Sequence, residues 1–297
     1  MRSLEGGGRI MTPGGWWPDV QRFAFAGRTC VLTGAAGGIG AALALELAPR
    51  RPVLVLIDKD GAGLERVAAL ARELGAREVT TYVIDLSDGG DRRDLAAEIV
   101  SRTGGADLLI NNAGVTLTGT FEQNSLADID WLLEVNLHAV IRLTKAFLPQ
   151  LLARPGSHLV NVSSLFGLIA PPGQVAYVTS KFAVRGFTEA LRNELEPRGV
   201  GVTVVHPGGI RTNIAINARR SGDDPDGVQA AEARRFTELA LTLPPERAAQ
   251  QIVAAVQARR PRLVITGAAR AADWLARLTP TRYWAVSRRL ARRRGAV

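Results

Sequence analysis

In the run SLFGLIAPPGQVAYVTSK, which begins at Ser164, a serine, a tyrosine and a lysine fall at spacings suited to proton transfer at an oxygen atom. Tyr177 and Lys181 are four residues apart, so on a helix they stand one turn above each other on the same face. A free phenol has a pKa of about 10 and exchanges protons poorly near neutrality. An ammonium one turn away favours the phenolate and is expected to draw that value toward working pH. The pair therefore reads as a tuned general acid/base.

What the acid/base would act on comes from the other end of the chain. Residues 28–40 read RTCVLTGAAGGIG, a β-type apolar run meeting a glycine-rich turn and then an apolar helical pattern through Ile39, Leu43 and Leu47. Turn glycines let backbone approach a pyrophosphate, and a helix start offers unpaired N–H groups with a favourable dipole. The glycines Gly34, Gly38 and Gly40 follow TGxxxGxG, with Thr33 closing the strand.

These features occur in one order along the chain: TGAAGGIG at 33–40, Asp58 after the second apolar run, NNAG at 111–114, Asn136, the Ser164–Tyr177–Lys181 set, and Pro207–Gly208 with Thr212 beyond. In that order they resemble the short-chain dehydrogenase/reductase family over roughly residues 27–267. The resemblance implies hydride transfer between a nicotinamide and a carbon bearing oxygen. It makes Tyr177 the acid/base and gives Lys181 a second role, hydrogen-bonding the nicotinamide ribose. Ser164, at the family's offset of thirteen residues from Tyr177, orients the reacting oxygen, and Asn136 completes a proton relay. Ser163 is the structural neighbour.

Cofactor contacts are expected from Thr33, Gly34, Gly38, Ile39, Gly40, Asp58, Asp85, Leu86, Asn112, Gly114, Pro207, Gly208 and Thr212, as well as Tyr177 and Lys181. A carboxylate at Asp58 accepts both ribose hydroxyls of NAD and repels the 2′-phosphate of NADP, whereas Lys59 would attract it; NAD is favoured. Asp85 reads either as an adenine contact or as a helix cap. Asn111 reads equally as a strand tie or a cofactor contact. The three histidines and single cysteine offer no metal-ligand spacing, so no metal is expected.

The chain of 297 residues is long enough for one large α/β domain. Its lone Cys30 reads as a small buried apolar residue, and nothing suggests an oxidising compartment. Short apolar, β-branched runs alternate with helical patterns, giving the expected fold: a doubly wound Rossmann-type three-layer α/β sandwich around a seven-stranded parallel sheet. Helices are expected near 39–49, 61–74, 90–103, 125–152, 175–197 and 245–259. Residues 1–22 read as a flexible arm with Trp16 and Trp17, 23–267 as the catalytic domain, and 268–297 as a basic amphipathic tail. The turn-rich segment 213–243 reads as a lid over the substrate. No signal peptide or membrane-spanning run is read.

Formal net charge is +9, with arginines crowding the C-terminus among Trp274, Leu275, Leu278, Tyr283, Trp284 and Val286. That pattern suits either a helix resting on an anionic membrane or one docked on the protein or a second subunit; nucleic acid is not expected. Leu165, Phe166, Leu168, Ile169, Ile214, Ile216, Phe236 and Leu239 point to a hydrophobic secondary alcohol or ketone. A cytoplasmic location is expected, with peripheral membrane association left open, and the family implies a homodimer or homotetramer formed through the two long helices. The competing reading is a non-catalytic dinucleotide sensor or membrane-peripheral scaffold on the same fold, which would be expected to lose Tyr177 or Lys181.

Overall fold

Seven short strands, nearly all closed to solvent on both faces, form the centre of the computed structural model, which describes residues 22–90, 92–220 and 241–293. The strands are β1 (Thr29–Thr33), β2 (Val53–Asp58), β3 (Glu78–Val83), β4 (Leu108–Asn111), β5 (His158–Val162), β6 (Gly201–His206) and β7 (Arg262–Val264). All pair in parallel in the order β3-β2-β1-β4-β5-β6-β7, the doubly wound architecture the alternation implied. Continuous apolar runs such as VLVLI in β2 form strands because helices cover both faces. β3 departs from this: it is an edge strand and Val83 is 63% exposed.

The helices are α1 (Gly38–Leu47), α2 (Gly61–Glu73), α3 (Arg93–Thr103), α4 (Leu126–Leu133), α5 (Ala139–Ala153), α6 (Val175–Leu195) and α7 (Pro245–Gln257). Leu43 and Leu47 of α1, Leu64 of α2 and Ile252 of α7 pack on one face of the sheet. Ile99 of α3, Leu143 and Phe147 of α5 and Leu195 of α6 pack on the other. Phe23 and Phe25 join the first layer, edge to face at 5.0 Å. Cys30 is buried within β1, as expected.

Three expectations change in detail. The helix read at 125–152 is interrupted: α4 and α5 are joined by a π-helical turn over Glu134–His138 that contains Asn136. The helix read from residue 90 begins at Arg93. The C-terminal tail forms two further helices, α8 (Gly267–Leu278) and α9 (Tyr283–Arg293). Both described ends of the segment 213–243, expected as a lid, are anchored. Leu117–Thr118 pairs with Arg219–Arg220, Arg219 donates to Asp128 at 2.9 Å and covers the Trp131 ring, and Leu243 bridges Ile210. Trp16 and Trp17 of the arm, residues 221–240 of the lid with Phe236 and Leu239, and the last four residues lie outside the described residues.

Candidate active site

The motifs converge at the carboxyl ends of the strands. At the end of β1 the chain turns through Gly34, whose φ of +68° favours glycine, into α1. A Cβ on Gly40 would stand 1.9 Å from the Gly34 carbonyl oxygen, so helix and turn approach this closely only with glycine there. Gly37 precedes α1, is exposed, and has no atom within 4 Å of where a Cβ would sit. No side chain caps α1, and no acidic residue lies in its first turn. Its first amides are therefore open toward a ligand of negative charge.

Asp58 ends β2 with one carboxylate oxygen accepting from the Ala36 amide at 3.0 Å and the other from Asp60 N at 3.1 Å. The glycine turn thus holds the acid beside it. Asp85, exposed after β3, accepts from the Ser87 amide at 2.9 Å; that bond holds its carboxyl below the ordinary range, against a smaller opposing effect of burial. It does not cap α3, which starts at Arg93. Leu86 beside it is buried. Thr212 lies against Gly38, with Cγ2 3.1 Å from where a Cβ would be. Pro207 accepts the Leu165 amide at 2.8 Å, and Gly208 packs close to Ala269.

Thr33 and Asn112 lace β1 to β4. The Thr33 hydroxyl accepts from the amides of Asn112 and Ala113, both at 3.1 Å, and the Asn112 amide donates to the carbonyls of Thr33 and Gly34. Of the two readings of Asn111 the structure favours the strand tie: buried, it donates to Thr144 and to Asn161, which donates to Thr188. Gly114 then leaves room at the centre. A Cβ there would lie 3.2 Å from Lys181 Nζ and 3.3 Å from Asn136 Oδ1.

Asn136 is fully buried in its π turn. Its Oδ1 accepts from Val115 N at 2.8 Å, and its amide donates to Val115 O and to Ser180 Oγ. It clamps the Gly114 loop to α6. Ser180, which the sequence reading passed over, donates in turn to the Tyr177 carbonyl at 2.7 Å. Its signal was a small hydroxyl residue one turn after Tyr177 and next to Lys181.

Tyr177 is 9% exposed, with its ring edge to face against Phe166 at 6.1 Å and a hydrogen bond to Ser164. Ser164 Oγ accepts the Phe166 amide at 3.1 Å. Ser163 is structural, donating to the Lys181 carbonyl at 2.8 Å. Lys181 Nζ lies 5.6 Å from the Tyr177 ring centroid and donates to Val162 O at 3.2 Å. Here the expectation of a phenol made acidic by Lys181 is corrected. Burial raises the Tyr177 pKa above its ordinary value, opposed by the Ser164 hydrogen bond, and burial lowers Lys181 from 10.5 to about 8. Desolvation is the largest cause at both residues, and it disfavours the charged form of each. His206, also passed over, lies with Nδ1 3.1 Å from the Ser164 carbonyl. Burial lowers it to about 4, so the neutral ring donates from Nδ1 and braces Ser164 from behind.

Residues 28–222 match the family model described as short chain dehydrogenase. SadH of Mycobacterium tuberculosis, whose oxidoreductase name is provisional, is 42% identical over 263 residues, 88% of this chain and 94% of its own. A short-chain dehydrogenase/reductase from Burkholderia phymatum, solved with NAD, superposes with a TM-score of 0.79 at 31% identity, covering 86% of this chain and 95% of that one. One from Burkholderia cenocepacia, solved with NADP, gives 0.71 at 29%, covering 84% and 100%. The family model and these matches agree with the seven-stranded parallel sheet, and the chain belongs to the short-chain dehydrogenase/reductase family of oxidoreductases.

Proposed function

We propose that the protein interconverts a secondary alcohol and a ketone on a hydrophobic substrate, with a nicotinamide dinucleotide as the redox partner. The observation that carries this reading is the meeting of the Ser164 hydroxyl, the Tyr177 phenol and the Lys181 ammonium at the mouth of β5, beside the gap left by Gly114. The residues fit the cofactor: an uncapped α1 with Gly37 open in front of it, and a carboxylate at Asp58 where a ribose would lie.

When bound, the dinucleotide supplies or accepts the hydride. In reduction the Tyr177 phenol, kept protonated by burial, donates its proton to the substrate oxygen as the carbonyl carbon gains hydride. In oxidation the Tyr177 oxygen takes the hydroxyl proton as hydride leaves that carbon. Ser164 donates to the substrate oxygen and fixes it against Tyr177. Lys181 stabilises the phenolate once it forms, and Asn136, beside Gly114, steadies the route by which Lys181 exchanges protons with solvent.

Asp58 supports NAD over NADP, because a 2′-phosphate there would meet a carboxylate already aligned by Ala36. Leu165, Phe166, Leu168 and Ile169, next to Ser164, support an apolar substrate. Ile141 of α5 and Phe182 of α6, each 38% exposed, support self-assembly through those helices. The test is a panel of hydrophobic ketones and alcohols followed at the absorbance of NADH, with NADPH in parallel. Turnover of apolar ketones with NADH supports the reading; absence of turnover across the panel, with the dinucleotide shown to bind, overturns it.

A further inference from the structure

The β7 edge of the sheet carries a second polar feature that the redox chemistry does not use. Arg260, Arg262, Arg270 and Arg277 line a cleft of about 420 Å³ together with Asp273 and Trp274. Among the described residues, Asp273 is the only acid in its walls. It accepts from both terminal guanidinium nitrogens of Arg262, at 3.0 and 2.8 Å, and from Nε of Arg277 at 3.2 Å. Four guanidinium groups against one carboxylate leave an excess of three positive charges in the cleft. Arg262 Nε is buried there with no hydrogen-bond partner. An anion with several acceptor oxygens, such as a phosphate ester, matches that donor set.

The outer face of α8 adds the other half. Arg270, Trp274, Arg277 and Leu278 are all exposed and follow the i, i+4, i+7, i+8 spacing of one helix face. Trp274 is 65% and Leu278 74% exposed, beside the arginines rather than apart from them. An indole and a leucine flanked by guanidinium groups suit the level of lipid headgroups, where apolar side chains insert and cations meet phosphates. A second copy of this chain is a poor occupant, since a two-fold contact would set arginine against arginine. Nucleic acid would meet the charge but would leave Leu278 unused. No described helix is long and apolar enough to cross a membrane, so the contact would be with its surface.

We propose that α8 and the arginine cleft beneath it dock the protein on an anionic lipid surface, with headgroup phosphates entering the cleft and Trp274 and Leu278 inserting between headgroups. The face is tied to the active site. Just after α8, the Tyr283 hydroxyl accepts the Ala170 amide at 2.9 Å, on the loop that runs from Ser164 to α6. A docked α8 therefore sets the substrate loop beside the lipid.

The test is co-flotation of the full chain with phosphatidylcholine vesicles, with and without phosphatidylglycerol, independent of any turnover. Flotation with the anionic vesicles alone, weakening as salt rises, is expected. Trp274→Ser/Leu278→Ser and Arg270→Glu should each weaken it by about fivefold or more while melting like the parent. A phosphate-buffer arm separates the lipid from free phosphate: inorganic phosphate at matched ionic strength should weaken flotation by competing for the cleft without abolishing it, because Trp274 and Leu278 still insert. The proposal is overturned if the chain fails to float, if it floats equally with neutral vesicles, or if inorganic phosphate abolishes flotation. It is also overturned if Trp274→Ser/Leu278→Ser changes the oligomeric state by light scattering, or if the chain shifts duplex DNA but not vesicles.

Discussion

The Asn136 amide donates to the Ser180 hydroxyl at 3.1 Å, and that bond ties the π turn between α4 and α5 to the helix that carries Tyr177 and Lys181. The same side chain grips both backbone groups of Val115. Asn136→Ala would strand these buried partners at about 1–3 kcal/mol for each group left unpaired. A lower melting temperature and a lower kcat are expected together. Ser180→Ala removes the link to Asn136 and the bond to the Tyr177 carbonyl but leaves the grip on Val115, and should lower kcat with a smaller loss of stability. Paired melting curves and steady-state rates check both.

Tyr177→Phe removes one oxygen and keeps the ring against Phe166. Loss of general acid–base catalysis should reduce turnover by about 10²–10⁴. Dinucleotide binding, followed by NADH fluorescence, should persist. Near-parental turnover in this variant would remove Tyr177 from the mechanism.

The buried tyrosine also predicts a pH dependence. Its pKa is raised by burial, so the phenolate needed for oxidation accumulates only toward alkaline pH, and oxidative kcat/KM should climb through that range. Reduction needs the phenol and should not climb. Lys181→Met removes the nearby charge and should move the oxidative limb further to the alkaline side. Burial also lowers Lys181, to about 8, so its own titration falls within the alkaline range being scanned. Profiles measured in both directions, on the parent and on Lys181→Met, decide the matter.

Much of this was legible in the sequence, and particular residues show why. The runs ending at Thr33 and Asp58 could be read as strands because strands covered on both faces carry unbroken apolar sequence. The spacing of Tyr177 and Lys181 on one helix carries over directly into space. The π turn at Asn136 was not legible: its extra residue per turn coincides with a clamp on Val115, twenty-one positions away, and helical periodicity is blind to such a contact. The sign of the Tyr177 shift was missed for a related reason. Spacing reports that an ammonium is near, while the depth of burial that overrides it is set by Leu117, Leu132 and Phe166 from three separate segments. Tyr283 bonding to Ala170 lies beyond any local pattern.

Gly37 and Asp58 separate binding from folding. Gly37 is extended, with φ of −160°, and open space surrounds its missing side chain. Gly37→Ala should therefore melt like the parent while weakening dinucleotide binding, because a methyl group would intrude where the uncapped amides of α1 face the ligand. Gly40→Ala has no such freedom beside Gly34 and should destabilise the fold. Asp58→Ala should move the ratio of kcat/KM for NAD over NADP toward NADP by about tenfold or more, one such factor being worth about 1.4 kcal/mol. A ratio unchanged by Asp58→Ala would end its assignment to the ribose.

Two buried histidines predict how stability responds to acid. His158 hydrogen-bonds Thr203 at 2.8 Å, and since the Thr203 hydroxyl donates to the Arg260 carbonyl, His158 Nε2 must be the donor to it. Burial lowers His158 to about 3 and His206 to about 4, both from 6.5. Below pH 6.5 the unfolded chain takes up protons that the folded chain refuses, so stability falls as pH drops from 6.5 toward 4 for His206 and toward 3 for His158. At about 1.4 kcal/mol per pKa unit, each ring accounts for roughly 3–5 kcal/mol across its window. Urea unfolding at stepped pH should show this slope, and His158→Gln, which keeps a donor for Thr203 without a titrating ring, should flatten it. An equal slope in parent and variant would mean that other groups govern the acid limb.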